Sequence, residues 1–161
     1  MIDSKLVLLI EDETPKRGHI VRYLASFQDE LTVVVAMSVT SALDEIEKSV
    51  PDVVLLDMSL PTFDVGEKEP GGRPQGFGGV EILRHMVMSG IVAPTVVITG
   101  YEALPRGDNE SVTVEQMRAE FAAEFPDHFR GVLQFNSSYD EWKVDLKREL
   151  VNLGILRGAD K

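Results

Sequence analysis

The sequence predicts an α/β fold, a doubly wound five-stranded parallel sheet with helices on both faces. Three observations point to it. Five short apolar runs, at 6–10, 32–36, 53–56, 95–98 and 132–135, recur along the 161 residues. Several lack polar alternation, as parallel strands covered on both faces do. Between them the apolar residues switch to helical spacing, so strand and helix alternate throughout, and right-handed crossovers then give a three-layer sandwich.

Each element has its own signal. After the first run, Thr14-Pro15 supplies an N-cap with proline at the start of a helix, where its missing donor costs nothing. Ile20, Leu24 and Phe27 form the apolar stripe of that helix, and Val39, Leu43, Ile46 and Val50 form that of the second. Val80, Leu83 and Val87 suffice for the third, with Met86 and Met88 as bordering residues. Thr113 with Gln116 opens a fourth helix with capping-box spacing, and Val114, Met117, Phe121 and Phe125 are its stripe. Ser138 with Glu141 repeats the box before Trp142, Leu146, Leu150 and Leu153, where Trp142 should anchor the last helix to the sheet. Gly90 and Gly154 stand where helices should stop.

Residues 1–161 therefore read as one domain with two long loops. The segment at about 62–79 is rich in glycine and proline, and the segment at about 100–110 holds Pro105, Gly107 and Asp108. The formal charge of −11 speaks against broad contact with nucleic acid or an anionic membrane, and the densest basic cluster, Lys16-Arg17, follows Glu11-Asp12-Glu13 after only two residues. The absence of cysteine excludes disulfides and thiolate chemistry and suits a reducing compartment. With no signal peptide or membrane span at the N-terminus, the expectation is a cytoplasmic protein. His19, His85 and His128 fall on separate elements without metal-ligand spacing.

Ligands of open parallel sheets bind beyond the carboxyl ends of the strands, near the point where strand order reverses. The first strand delivers Glu11 and Asp12 there, the third Asp57, and the fourth Thr99. If the first and third strands are neighbours, three carboxylates converge, and they cannot all stay ionised without a cation. Oxygen ligands on a wet rim suit Mg²⁺, Asp57 is then the natural phosphoryl nucleophile, and Thr99 can hydrogen-bond a phosphoryl oxygen.

The segments LVLLIEDE at 6–13, PDVVLLDMSLP at 51–61 and VVITG at 96–100 closely resemble, in order and spacing, the CheY-like receiver domain of two-component response regulators. The resemblance covers nearly the whole chain. It implies the strand order 2-1-3-4-5, Asp57 as phosphoacceptor, Glu11, Asp12 and Asp57 as Mg²⁺ ligands joined by the backbone carbonyl of Ser59, and Thr99 as the switch hydroxyl. It further implies a sensor histidine kinase or phosphotransfer protein as phosphodonor. A chain of this length leaves no room for an output domain, so the expectation is a stand-alone regulator. Such a protein signals by phosphorelay to an unknown downstream protein, without direct nucleic-acid or membrane contact, and is not an enzyme beyond its own phosphorylation and dephosphorylation.

One departure matters. The family places a lysine just after the fifth strand, and here Phe135 and Asn136 occupy that stretch, with Gln134 before them. Two readings follow. Either phosphorylation persists, with Lys68, Arg73 or Arg106 swinging in from the long loops, or the chain is a pseudo-receiver that binds partners independently of phosphorylation. Enzyme alternatives fit less well. A phosphohydrolase with a strand-end aspartate needs a second acid two residues on, where Ser59 stands. A nucleotide or flavin phosphate would meet Glu11-Asp12-Glu13 rather than a donor-rich loop.

Overall fold

The computed structural model describes residues 4–61, 78–100, 103–106 and 110–158. In chain order the elements are β1 (Lys5–Ile10), α1 (Thr14–Ala25), β2 (Leu31–Ala36), α2 (Val39–Lys48), β3 (Val53–Leu56), α3 (Gly78–Ser89) and β4 (Thr95–Thr99). They are followed by β5 (Ala103–Arg106), β6 (Glu110–Thr113), α4 (Val114–Glu124), β7 (Phe129–Gln134) and α5 (Glu141–Asn152). Five strands form one sheet in the order β2-β1-β3-β4-β7, every neighbouring pair parallel. The predicted order 2-1-3-4-5 therefore holds among the sheet strands, β7 being the fifth of them.

The unbroken apolar runs follow from a core on each face. Val7, Leu9, Val53, Leu55, Val96 and Ile98 pack with Ile20 and Leu24 of α1 and with Trp142, Leu146 and Leu150 of α5. The alternate residues Leu8, Ile10, Val54, Leu56 and Val97 pack with residues of α2, α3 and α4. Successive side chains on a strand point to opposite faces, so the strands buried on both faces are almost wholly apolar, with Thr95 and Thr99 the buried polar residues at the two ends of β4.

Helix ends follow local chemistry with two corrections. The box Thr113/Gln116 forms as expected, each side chain bonding the other's backbone N–H, and Ser38 with Ser41 forms another. Gly90 and Gly154 adopt φ of 73° and 77°, a region other residues avoid. The expected box at Ser138/Glu141 does not form. The N-cap of α5 is Asp140, and the Ser138 N–H donates instead to Oδ1 of Asn136 at 2.8 Å, a turn that competes with the cap. The cap of α1 is Glu13, one residue before Thr14. Met86 is fully buried in α3 while Val87 is half exposed, so the flexible thioether takes the core position expected of the valine.

The stretch expected as a loop at 100–110 contributes to an antiparallel hairpin, β5 against β6, pairing Ala103 with Thr113 and Arg106 with Glu110. Val112 carries the hairpin into the core beside α4. Residues 62–77 of the other expected loop, with Lys68 and Arg73, lie outside the described residues, whereas Gly78 and Gly79 open α3. A Cβ at Gly78 would stand 2.5 Å from the carbonyl oxygen of Leu60, and one at Gly79 2.8 Å from that of Asp57. Only glycine lets the first turn of α3 rest on the backbone leaving β3. No described helix is long and apolar enough to cross a membrane.

Candidate acidic site at the carboxyl edge of the sheet

Three strand ends build the site. Beyond Ile10 the ladder continues for one more bond on each side: the N–H of Glu11 donates to Ala36 O at 2.9 Å and that of Asp57 to Ile10 O at 3.0 Å. These bonds hold Glu11 and Asp57 side by side at the point where strand order reverses. One carboxylate oxygen from each of Glu11, Asp12 and Asp57 lies within 4.8 Å of the other two. They face an open cavity of about 500 Å³, whose far wall is Gly100, Phe135, Asn136 and Ser137. Ser59 lines the same cavity, and its N–H donates to Oδ1 of Asp57 at 3.3 Å.

A fourth charged group, which sequence reasoning missed, completes the cluster. Lys16, in the first turn of α1, is 5% exposed and reaches inward. Its Nζ lies 2.8 Å from Oε1 of Glu11 and 3.5 Å from Oδ1 of Asp57, and it donates to the carbonyl of Ile98 at 2.7 Å. Its neighbour Arg17 turns outward and braces the acidic turn through the carbonyl of Asp12 at 3.0 Å. The signal was present in the sequence: Lys16, Ile20 and Leu24 are four residues apart, and all three are buried on one stripe of α1. Hydrophobicity alone hid the first member.

The electrostatics are those of a site short of positive charge. Burial is the main cause that pushes Glu11 from its ordinary 4.5 up to about 8, with the charge of Asp57 adding and that of Lys16 opposing. Burial followed by the charge of Asp57 raises Asp12 from 3.8 to about 6, and a hydrogen bond between the two carboxyls raises it further. Among the described residues, three carboxylates against one ammonium leave two negative charges in excess if all ionise, a balance that favours keeping protons on the acids. Clustered hard oxygen donors on an open rim are the set a divalent cation such as Mg²⁺ takes, with water completing its shell.

Of the residues expected at the site, Glu11, Asp12, Asp57 and Ser59 are brought together. Thr99 ends β4 fully buried, with its carbonyl accepting from the Phe135 N–H at 2.8 Å, and it is not among the residues lining the cavity. Phe135 is turned against Trp142 and His19, with ring centroids 5.1 and 5.9 Å away. Trp142 anchors α5 as expected, being almost wholly buried.

No family model matches the chain. It is 28% identical over 120 residues to the Detocs response regulatory protein DtcB of Enterobacter cloacae, covering 72% of this chain and 78% of that one. It is 24% identical over 151 residues to the uncharacterized protein y4jR of Sinorhizobium fredii, covering 91% and 97% of the two chains. Among solved structures, a CheY-like response regulator receiver domain protein from Methanospirillum hungatei superposes with a TM-score of 0.60 at 17% identity, over 94% of this chain and 98% of that one. The receiver domain of NtrX from Brucella abortus gives 0.55 at 19% identity, over 89% and 97%. Sheet order and structural neighbours agree: the chain has the fold of the CheY-like receiver domains of response regulators.

Proposed function

We propose that this protein is a receiver of a phosphorelay, accepting a phosphoryl group on Asp57 and signalling through contacts with other proteins. The observation that carries the proposal is the convergence of Glu11, Asp12 and Asp57 on one open cavity at the switch point of the sheet. In the transfer, a carboxylate oxygen of Asp57 attacks phosphorus. The bond from phosphorus to the donor nitrogen of a phosphohistidine breaks, its electron pair stays on that nitrogen, which takes up a proton, and Asp57 becomes an acyl phosphate. Water attacking phosphorus later returns the carboxylate and releases phosphate.

The chain's own groups prepare each stage. The ladder bond from Asp57 N–H fixes the nucleophile at the rim, and the Ser59 N–H holds one of its oxygens. Glu11 and Asp12, with Asp57 and the Ser59 carbonyl, are the residues that would hold Mg²⁺. Bound there, Mg²⁺ would neutralise the approach of one anion to another. Thr99, at the end of β4, is assigned the switch hydroxyl, which requires the rim to open toward its buried position. The donor is a sensor histidine kinase or a phosphotransfer protein, and the output is a protein surface rather than an enzymatic step.

Treatment with acetyl phosphate and Mg²⁺ should add one phosphoryl mass to the wild type and none to Asp57→Asn. The absence of the adduct from both would favour a second reading, a phosphorylation-independent binding module. The observation that speaks for it is that Thr99 is fully buried and absent from the lining of the cavity.

A further inference from the structure

The family pattern calls for a lysine after the last sheet strand, yet the described end of β7 presents Phe135, Asn136 and Ser137 to the cavity. A cation is nevertheless present. Lys16 comes from the opposite wall, and its position is expensive. The N-terminal turn of a helix carries the positive end of the macrodipole, so a lysine there is on the unfavourable end. Burying an ammonium costs several kcal/mol unless it is well paired. Three oxygen partners, Glu11, Asp57 and the Ile98 carbonyl, meet that cost at 2.8, 3.5 and 2.7 Å. A lysine placed only to fasten α1 to the sheet would need none of the carboxylates of the site, and apolar Ile20 and Leu24 on the same stripe already do that work.

We propose that Lys16 is the phosphoryl-binding cation of this protein, supplied from the start of α1 instead of from the end of β7. Before transfer its ammonium balances Asp57 and also Glu11, once a bound cation has displaced the proton from that acid. After transfer it contacts a phosphoryl oxygen on Asp57, replacing part of its bond to Glu11. Three donors on one nitrogen allow the exchange without a change of helix position. The inference rests on phosphorylation of Asp57. It is an alternative to the expectation that Lys68, Arg73 or Arg106 supplies the charge, groups whose side chains lie outside the described residues.

The test compares wild type, Lys16→Met and Lys16→Arg in Mg²⁺ and acetyl phosphate, following the Asp57 adduct by mass. Lys16→Met should bind Mg²⁺ at least as tightly as wild type, because a competing cation has gone, yet acquire the adduct about 100-fold more slowly, the usual loss for one charge-stabilising donor. Lys16→Arg should recover part of the rate. A lysine that only stabilised the fold would change melting temperature and leave the rate per folded molecule unmoved. Equal rates in wild type and Lys16→Met overturn the assignment of Lys16 while leaving Asp57 as acceptor. No adduct on wild type overturns both. Should Lys16→Met fail to fold, wild type decides alone: the ¹⁵Nζ resonance of Lys16 should shift when beryllofluoride and Mg²⁺ are added beyond its shift with Mg²⁺, and an unmoved resonance overturns the proposal.

Discussion

Glu11 is almost fully buried and carries its proton up to about pH 8, where an exposed glutamate loses it near 4.5. Between those values the folded protein holds more protons than the unfolded chain, so stability is greatest at the acid end and is lost as pH rises through about 8. Asp12, raised to about 6, adds to the fall in its lower half. Metal-free protein should therefore melt at progressively lower temperature from pH 5 to pH 8, with a slope of up to about 1.4 kcal/mol per pH unit for each proton involved. Thermal denaturation in chelator should show this, and Glu11→Gln should flatten the profile. The acids themselves were legible in the sequence because strand ends deliver their next residue to the rim. Lys16 was not, because a charged side chain is ordinarily assigned to solvent, and only its phase with Ile20 and Leu24 marks it as inward. The depth of Thr99 was equally hidden, since a strand-end position fixes the edge a side chain reaches but not whether its neighbours cover it.

At the scale of elements, α3 depends on two glycines. Gly79→Ala would gain about 1 kcal/mol of helix propensity but press a methyl group to 2.8 Å from the Asp57 carbonyl, a backbone atom with little freedom to yield. Overpacking of that kind costs about 1–3 kcal/mol. The expected outcome is a lower urea midpoint and, because the strained atom belongs to the peptide of Asp57, the proposed acceptor, slower formation of the Asp57 adduct. On the other face, Trp142 packs edge-on against Tyr23 at 5.6 Å and tilted against Phe135. Trp142→Ala should cost about 3–5 kcal/mol in denaturant unfolding. The sheet strands and their helices were readable because two buried faces leave long apolar runs. The β5–β6 hairpin was not, because a proline within Ala103–Arg106 argues against a strand, and its tolerance at the edge of a two-stranded ribbon depends on a partner the sequence does not show. The cap of α5 failed for a similarly local reason, Asn136 reaching the Ser138 N–H first.

For the molecule as a whole, the charge of −11 is unevenly felt. Most exposed acids sit in water at little cost, whereas Glu11, Asp12 and Asp57 concentrate their repulsion at one edge of the sheet. A ligand that binds only the folded state stabilises it by mass action. Mg²⁺ should accordingly raise the melting temperature of the entire domain, more at pH 8 than at pH 6, because fewer protons then compete for the same oxygens. Asp57→Asn should remove most of that increment, and a calorimetric scan with and without Mg²⁺ checks both statements. The position of Lys16 has one more consequence. Glu11, Asp12, Lys16 and Asp57 all fall within the first 57 residues, so the charged part of the site is complete in the nascent chain before β4 and β7 are synthesised. With Lys16 as the proposed cation, the segment after β7 need not supply one, and Phe135, Asn136 and Ser137 can shape the cavity wall instead.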